Sequence, residues 1–271
     1  MPELPEVETV CRGIAPCITG KVIQELILRT PKLRLPLDPQ LCRVIPGQTI
    51  TTVSRRAKYL LLETDQGGLL IHLGMTGVLR VLPAGTSENK HDHVDLIFTD
   101  GTCLRFTDPR RFGIFVYSPG TLLDHPLLKK LGPEPLSDSF GGEMLYRLSR
   151  GKSQPIKVFI MDQKVVVGVG NIYANEALFR AGIHPARAAV RIGRQRYQRL
   201  VIAIQEVLRA AIDAGGTTIS DFADSEGRPG YFRRELLVYG RSFAPCRYCG
   251  RAIHTCRIGQ RSTFYCSNCQ R

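Results

Sequence analysis

Residues 93–108, HVDLIFTDGTCLRFTD, decide the class of the first half of the fold. Two runs rich in apolar and β-branched residues flank Asp100-Gly101, and an Asp-Gly pair between such runs is typical of a β-hairpin. Further runs of this kind, separated by turn residues, lie at 21–29, 49–64, 67–82 and 111–117. The pattern predicts a β-sandwich or barrel from Lys21 to about Tyr117.

Helical patterns flank the strand-rich region. Residues 6–18 carry apolar side chains at helical spacing behind Pro5 and predict a helix that bears the N-terminus. Residues 131–140, LGPEPLSDSF, are turn-rich and predict a hinge between domains. Apolar periods then predict helices at 156–162, 171–181 and 194–214.

The predicted class is therefore α+β. We expect a β-sandwich domain at 1–130, the hinge at 131–140, a helical domain at 141–236 and a cysteine-rich hairpin at 237–271. A chain of 271 residues with 43% hydrophobic content suits two modest domains better than one.

The composition indicates an anionic partner. The 37 Lys and Arg against 24 Asp and Glu give a formal net charge of +13, an excess that most often reflects nucleic-acid binding and less often a membrane surface. No acidic residue lies between Cys246 and Arg271, and arginines cluster at 187, 191, 194, 196 and 199. There is neither a secretory signal nor an apolar run approaching roughly 18 residues, so we expect a cytoplasmic protein without a membrane anchor.

Two Cys-x2-Cys pairs give the strongest spacing signal. Cys246 and Cys249 are separated from Cys266 and Cys269 by 16 residues, which fits a four-cysteine zinc site. Two disulfides are the alternative, but a reducing compartment favours zinc. Four thiolates leave no open position for water, so the predicted zinc is structural. The other cysteines, at 11, 17, 42, 103 and 256, suit ordinary apolar or spare positions.

A second metal site is conceivable at His91, His93 and Asp95, whose side chains would share one face of a strand. Two His and one carboxylate are ligands of non-haem iron, so a metal-dependent nuclease or oxygenase stays open. Polar residues at a strand start more often close a turn, and we favour that interpretation. His72 lies alone among apolar residues and is expected to be a hydrogen-bonded core residue.

The N-terminus contains a potential nucleophile. If Met1 is removed, Pro2 presents a secondary amine, and an α-amino group with a pKa near 8 is partly unprotonated at neutral pH. Glu3 lies beside it and could move protons. Acidic residues in a first helical turn also simply favour the helix dipole, and this second interpretation is preferred on the terminus alone.

Longer motifs along the chain favour the catalytic interpretation of the terminus. They are PELPEVE at the terminus, RRAKYLL around Lys58, IHLGMTG, KHDHVD, TDPRRFG, VVGVGNIYANEALF and QRSTFYCSNCQ. Together, from Pro2 to Cys269, the chain resembles the formamidopyrimidine-DNA glycosylase family. The resemblance implies an N-terminal β-sandwich with a helix bearing the nucleophile, a helix-two-turn-helix domain and a zinc-finger hairpin. It also implies a monomer that binds duplex DNA containing oxidised bases.

The resemblance also implies residue roles. Pro2 would attack C1′ of the damaged nucleotide, with Glu3 assisting deoxyribose ring opening and Lys58 completing the catalytic set. The product would be cut by β- and then δ-elimination, as in a glycosylase and AP lyase of base-excision repair. The preferred substrates would be oxidised purines, namely 8-oxoguanine and formamidopyrimidines.

DNA contacts are implied at further positions. Met75 and Phe112 would fill the gap left by the extruded nucleotide, and Arg110 would bond the orphaned cytosine. Phosphate contacts would come from Lys58, His72, Asn171, Tyr239 and Arg261. The lesion pocket would use Glu6, Thr217, Thr218 and Tyr231. Ser220 departs from the basic residue associated with that position in some relatives, which leaves closure of the pocket open.

Two other functions remain open. Endonuclease VIII shares the terminus and the zinc hairpin but excises oxidised pyrimidines, whereas PELPEVE and TDPRRFG favour the purine enzyme. A non-enzymatic zinc-ribbon protein would bind DNA through the same basic surface without chemistry at Pro2.

Overall fold

The computed structural model describes residues 2–216 and 235–271. The described residues form two compact units, one containing 2–129 and 214–216 and the other containing 130–213 and 235–271. Residues at the start of the predicted hinge bond within the second unit: the Gly132 N–H donates to the Gln163 carbonyl, and the Val167 N–H donates to the Pro133 carbonyl. None of the helices in these ranges has both the length and the apolar content of a membrane span.

The first unit begins with α1, Leu4–Ile18. The helix starts two residues earlier than its apolar period predicts, because Pro5 is tolerated in a first turn and Glu3 caps the helix. One face of α1 is fully buried, including Val10 and Ile14, and packs on strands of both sheets described next. The unit also contains two short α-helices, α2 Leu41–Val44 and α3 Pro126–Lys129, and a 3-10 helix at Leu122–Asp124.

Eight antiparallel strands form two four-stranded sheets, which confirms the sandwich. The strands are β1 Ile23–Leu28, β2 Ile50–Arg56, β3 Tyr59–Thr64, β4 Gly67–His72, β5 Val78–Pro83, β6 Asp92–Phe98, β7 Thr102–Thr107 and β8 Ile114–Ser118. One sheet has the order β1-β6-β7-β5 and the other β2-β3-β4-β8. The predicted hairpin at 93–108 is β6–β7, paired across the Asp100-Gly101 turn.

Two sequence runs that each read as one strand are in fact two strands. Residues 49–64 fold back at Ala57-Lys58 to give the β2–β3 hairpin. Residues 67–82 break at 73–77, and the halves join different sheets. Apolar periodicity missed both breaks because each interrupts its run over only a few residues, 57–58 in one case and 73–77 in the other. These two turns position residues of the candidate site.

The second unit is helical, with a terminal hairpin. Its helices are α4 Gly142–Ser149, α5 Ile156–Met161, α6 Asn171–Arg180 and α7 Arg194–Asp213, and its strands are β9 His254–Ile258 and β10 Arg261–Tyr265. The three predicted helices agree with α5, α6 and α7 to within a residue at each end. Buried Lys157 of α5 donates to the Ser262 carbonyl and the Thr263 hydroxyl, which fixes β10 to the helices.

We expect the sandwich core to dominate the stability of the first unit. Leu62 on β3 is fully buried, so Leu62→Ala should lower the free energy of unfolding by about 2–5 kcal/mol. Leu123, which is 55% exposed, is the matched control, and Leu123→Ala should cost much less. Chemical denaturation measures both, and equal losses would contradict this assignment of the core.

Candidate active site and zinc centre

Reciprocal hydrogen bonds between two acidic residues fix the start of α1. The Glu3 side chain accepts from the N–H of Glu6, and the Glu6 carboxylate accepts from the N–H of Glu3 at 2.8 Å. Both residues are about 97% buried, and Pro2 immediately before them is also buried. The capping box therefore places the predicted nucleophile and both predicted acidic side chains in one small region.

Gly216, in the loop predicted to close the lesion pocket, lies beside Glu6. Gly216 has φ +83°, and a Cβ there would lie 3.3 Å from the side chain of Glu6. The backbone after α7 therefore closely approaches the side chain predicted to line the pocket. Thr217, Thr218, Ser220 and Tyr231 lie outside the described residues.

Lys58 lies at the tip of the β2–β3 hairpin and is 7% exposed. The preceding Ala57 has φ +56°, which a two-residue hairpin turn requires and which is unusual for a residue other than glycine. Arg55 holds this turn by donating to the Ala57 carbonyl at 2.8 Å and to Glu8 of α1 at 2.8 Å. Burial tends to raise the pKa of Glu8, but hydrogen bonds from Arg55 and Arg12 outweigh it and lower the pKa.

His72 ends β4 and is paired with Tyr59, whose ring it contacts edge-on at 4.9 Å. Its Nδ1 accepts the N–H of Gly74 at 2.9 Å, so the ring proton of neutral His72 resides on Nε2. Burial, followed by the nearby charges of Lys58 and Arg34, lowers the pKa of His72 to about 4. His72 is therefore a neutral hydrogen-bond donor at pH 7, and its hydrogen bond agrees with the sequence expectation.

Two loops bring together the three residues predicted to enter the base stack. Met75 lies in the loop 73–77, and Arg110 and Phe112 lie in the loop 108–113. Phe112 is 45% exposed, and the Arg110 guanidinium lies 4.8 Å from its ring centroid. Gly74 has φ +64°, and a Cβ there would lie 2.5 Å from the Phe112 carbonyl carbon, so the two loops touch through their backbones.

The phosphate-binding residues predicted in the second unit surround β10. Asn171 is the first residue of α6, behind Gly170, and its Nδ2 donates to the Ser262 carbonyl at 3.1 Å. Its Oδ1 is buried and has no hydrogen-bond partner among residues 2–216 and 235–271. Arg261 is the first residue of β10, and Tyr239 packs edge-on against Phe264 at 5.0 Å.

Sequence reasoning missed Glu176, which supports Tyr239. This carboxylate is 98% buried on α6 and accepts the backbone N–H groups of Leu237, Val238 and Tyr239 at 2.8–2.9 Å. The only signal in the sequence is a lone acidic residue in an otherwise apolar helical run. Such a residue must have buried partners, because an unpaired charge there would be strongly unfavourable.

The paired cysteines form a site for one zinc ion. Their four Sγ atoms lie within 4.8 Å of one another, and two Sγ–Sγ distances are 3.9 Å (Cys246–Cys269) and 3.5 Å (Cys249–Cys266). A tetrahedron with Zn–S bonds of about 2.3 Å has S–S edges of about 3.8 Å, whereas a disulfide measures about 2.05 Å. The geometry favours four metal ligands over two disulfides.

The alternative metal site is not formed. In the described ranges, the zinc-site cysteines are the only group of three or more potential ligands close enough to hold an ion. His93 Nε2 instead donates to the Asp108 carbonyl at 3.0 Å, and Asp95 pairs with Arg105 and Arg29. Burial raises the pKa of Cys11 and of Cys103 to about 11, so neither of these two thiols is ionised near neutral pH.

Comparison with known proteins gives the family. Domain models match at 1–115 (formamidopyrimidine-DNA glycosylase N-terminal domain), 131–223 (formamidopyrimidine-DNA glycosylase H2TH domain) and 243–271 (zinc finger found in FPG and IleRS). The chain belongs to the formamidopyrimidine-DNA glycosylase family. The predicted enzyme class, the α+β architecture and the four-cysteine zinc finger are thereby confirmed.

Relatives in this family match along the whole chain. The formamidopyrimidine-DNA glycosylase of Stenotrophomonas maltophilia is 55% identical over 271 residues, covering 100% of both chains. The Lactococcus lactis Fpg in complex with N7-benzyl-Fapy-dG DNA is 34% identical, with a TM-score of 0.91 and full coverage of both chains. The same protein with DNA containing an abasic site is 33% identical, with a TM-score of 0.90 over 99% of each chain.

The zinc centre predicts a difference between two cysteines of the same hairpin. Cys249→Ala removes one of four ligands and should reduce bound zinc from about one ion per chain to nearly none. Cys256→Ala removes an exposed cysteine outside the cluster and should leave zinc unchanged. Elemental analysis of purified protein measures the ratio, and zinc loss in both variants would contradict the assignment.

His72 predicts a dependence of stability on pH. The unfolded histidine takes up a proton near pH 6.5, whereas the folded one does so only near pH 4, so acidification between these values favours the unfolded state. His72→Asn keeps an acceptor for the Gly74 N–H but cannot titrate. Its free energy of unfolding should therefore fall less steeply than that of the wild type between pH 6.5 and 4, with parallel curves between pH 7 and 8. Parallel curves throughout would disprove the pKa shift.

Proposed function

We propose that this chain is a bifunctional DNA glycosylase and AP lyase of base-excision repair that removes oxidised purines through an imine at Pro2. The observation that carries the proposal is the buried terminus. Pro2 precedes a helix whose capping box orients Glu3 and Glu6, in a chain that matches its family at full length. The Lactococcus lactis relative, bound to a modified formamidopyrimidine in DNA, supports the oxidised-purine class.

The first chemical step joins protein and DNA. The Pro2 nitrogen forms a bond to C1′ while the glycosidic bond breaks, and the damaged base leaves with the bonding electrons and takes up the proton that the Pro2 nitrogen releases. The C1′–O4′ bond then breaks as the nitrogen lone pair forms the C=N bond, and Glu3 in its acid form protonates O4′. The product is an iminium ion between Pro2 and C1′. A secondary amine suits this role because part of it is unprotonated near neutral pH. The iminium that it forms has no N–H left to lose, so the nitrogen keeps its positive charge.

The same iminium then cuts the strand. Positive charge on nitrogen acidifies the C2′ proton; its removal expels the 3′ phosphate by β-elimination, and a second elimination expels the 5′ phosphate. Hydrolysis releases the sugar fragment and restores the Pro2 amine. No step requires a metal, so zinc is assigned to the hairpin alone. A single chain supplies all these residues, and we expect an active monomer.

Phosphate binding is assigned to two sets of residues. In the first unit, Lys58 provides a cation and His72 a neutral Nε2–H donor. In the second unit, Arg261, Tyr239 and Asn171 are held around β10 by the contacts described above, and a helix N-terminus favours an anion. The chain has 37 Lys and Arg against 24 Asp and Glu, and this net positive charge supports duplex DNA as the partner.

Glu3→Gln separates chemistry from helix capping. The amide oxygen of glutamine still accepts the Glu6 N–H, so the melting temperature should change little, but the variant cannot donate the acid proton. Trapping by sodium borohydride on a duplex with 8-oxoguanine opposite cytosine should slow about 100-fold or more. Wild-type trapping rates with an unchanged melting temperature would exclude Glu3 as the acid.

The wild-type adduct identifies the nucleophile. Mass spectrometry should place the reduced sugar on Pro2 in a chain lacking Met1, and His91→Ala should not prevent trapping. Tight DNA binding without an adduct would instead favour the non-enzymatic zinc-ribbon protein. Faster trapping on an oxidised pyrimidine than on 8-oxoguanine would favour the specificity of endonuclease VIII.

A further inference from the structure

Asp108 connects the two loops predicted to enter the base stack. Its side chain is fully buried. One carboxylate oxygen accepts the Thr76 hydroxyl at 2.7 Å, and the other accepts the Gly113 N–H at 2.7 Å. Thr76 follows Met75 in one loop, and Gly113 follows Phe112 in the other. A single side chain therefore bonds both loops.

The backbone of Asp108 is also held. Its N–H donates to the His91 carbonyl at 3.0 Å, and its carbonyl accepts from His93 Nε2 at 3.0 Å and from the Arg111 N–H at 3.1 Å. The ring of His93 thus has a hydrogen-bond partner in the Asp108 carbonyl. Asp108 is thus anchored to the start of β6 while its carboxylate reaches the two loops.

A carboxylate suits this position better than an amide. One oxygen accepts the Arg110 N–H at 3.3 Å in addition to the Thr76 hydroxyl, and the other accepts the Gly113 N–H, so an asparagine in either orientation would direct its NH2 group at a backbone N–H. The loops also touch at Gly74, where a Cβ would lie 2.6 Å from the Gly113 nitrogen. Close backbone contact at one point and a hydrogen bond at another fix the loops relative to each other.

We propose that Asp108 is a positioning residue that joins the Met75 loop and the Arg110–Phe112 loop into one rigid wedge for extruding a stacked base. This proposal rests on the proposed function, since it assigns the wedge to the same lesion-containing DNA. Asp108 acts through the side chains of Met75, Arg110 and Phe112 and does not itself touch the reacting atoms. Holding three inserted groups in advance avoids ordering them during base extrusion.

Thr76→Val tests the connection with little change in shape. It removes the hydroxyl that bonds Asp108, and Thr76→Ser is the matched control that restores it. The substrates are two duplexes of the same sequence, one with 8-oxoguanine opposite cytosine and one with an abasic site, which has no base to unstack. We expect Thr76→Val to slow excision of 8-oxoguanine about tenfold and to cleave the abasic duplex within twofold of the wild type. Thr76→Ser should match the wild type on both.

Each other outcome decides against the proposal. Unchanged excision by Thr76→Val would show that the bond does not matter for the wedge. Equal losses on both duplexes would show that it maintains the fold of the unit. Asp108→Asn should also slow excision of 8-oxoguanine while leaving cleavage of the abasic duplex nearly unchanged. Equal losses on both duplexes in Asp108→Asn would show that the residue maintains the fold of the unit and would contradict the proposal.

A fluorescence measurement separates this proposal from the Pro2 chemistry. When 2-aminopurine is placed next to a carbocyclic analogue of the 8-oxoguanine nucleotide, which has CH2 in place of O4′ and resists displacement of the base, its fluorescence reports unstacking without a covalent step. Thr76→Val should reduce the fluorescence rise on binding, and Thr76→Ser should preserve it. If the wild type forms no adduct yet these variants still differ, the proposed chemistry fails and the wedge stands. If Thr76→Val and Thr76→Ser give the same rise, the wedge proposal is wrong.

Discussion

The reciprocal hydrogen bonds between Glu3 and Glu6 are the constraint on which the active site depends. Chain termini are usually poorly ordered unless something holds them, yet the chemistry assigned to residue 2 needs a fixed amine. The capping box satisfies two backbone N–H groups at the start of α1 and at the same time orients two carboxylates. Burial of Val10 and Ile14 then fixes the helix on the sandwich. Glu3 takes part in helix capping and is also the acid of the proposed mechanism, so the two interpretations of the terminus are compatible.

The sequence predicted those features that depend on local patterns. Strand alternation and an Asp-Gly turn gave the β6–β7 hairpin, apolar periods gave α5 to α7, and cysteine spacing gave the zinc site. Alternation, turn residues and apolar periods are visible within short stretches of sequence, and the spacing of the cysteines is set by the geometry of the metal site. The breaks at Ala57-Lys58 and at 73–77 were missed because they are short and depend on positive φ angles at Ala57 and Gly74 and on close backbone contacts, which a single sequence does not reveal.

The supporting side chains could not be predicted for a different reason. Asp108, Glu176 and Arg55 each bind groups distant in sequence: Asp108 reaches Thr76, and Glu176 reaches the backbone around Val238. One sequence reveals an acidic or basic residue in an apolar or turn-like context but not its partner. The KHDHVD segment illustrates the ambiguity. Its alternation fits a metal site, and only the distance from His93 to the Asp108 carbonyl shows that the histidine supports a loop.

The neutral state of His72 also has a consequence for ionic strength. Each protein cation that contacts a phosphate releases a condensed counterion from DNA, and the dependence of affinity on salt counts such contacts. In the proposed DNA complex, His72, with its pKa near 4, would donate a hydrogen bond without adding to that count, and so would the side chains of Asn171 and Tyr239. Such a site would retain a larger part of its affinity as salt rises than one that binds the same phosphates through lysines and arginines alone.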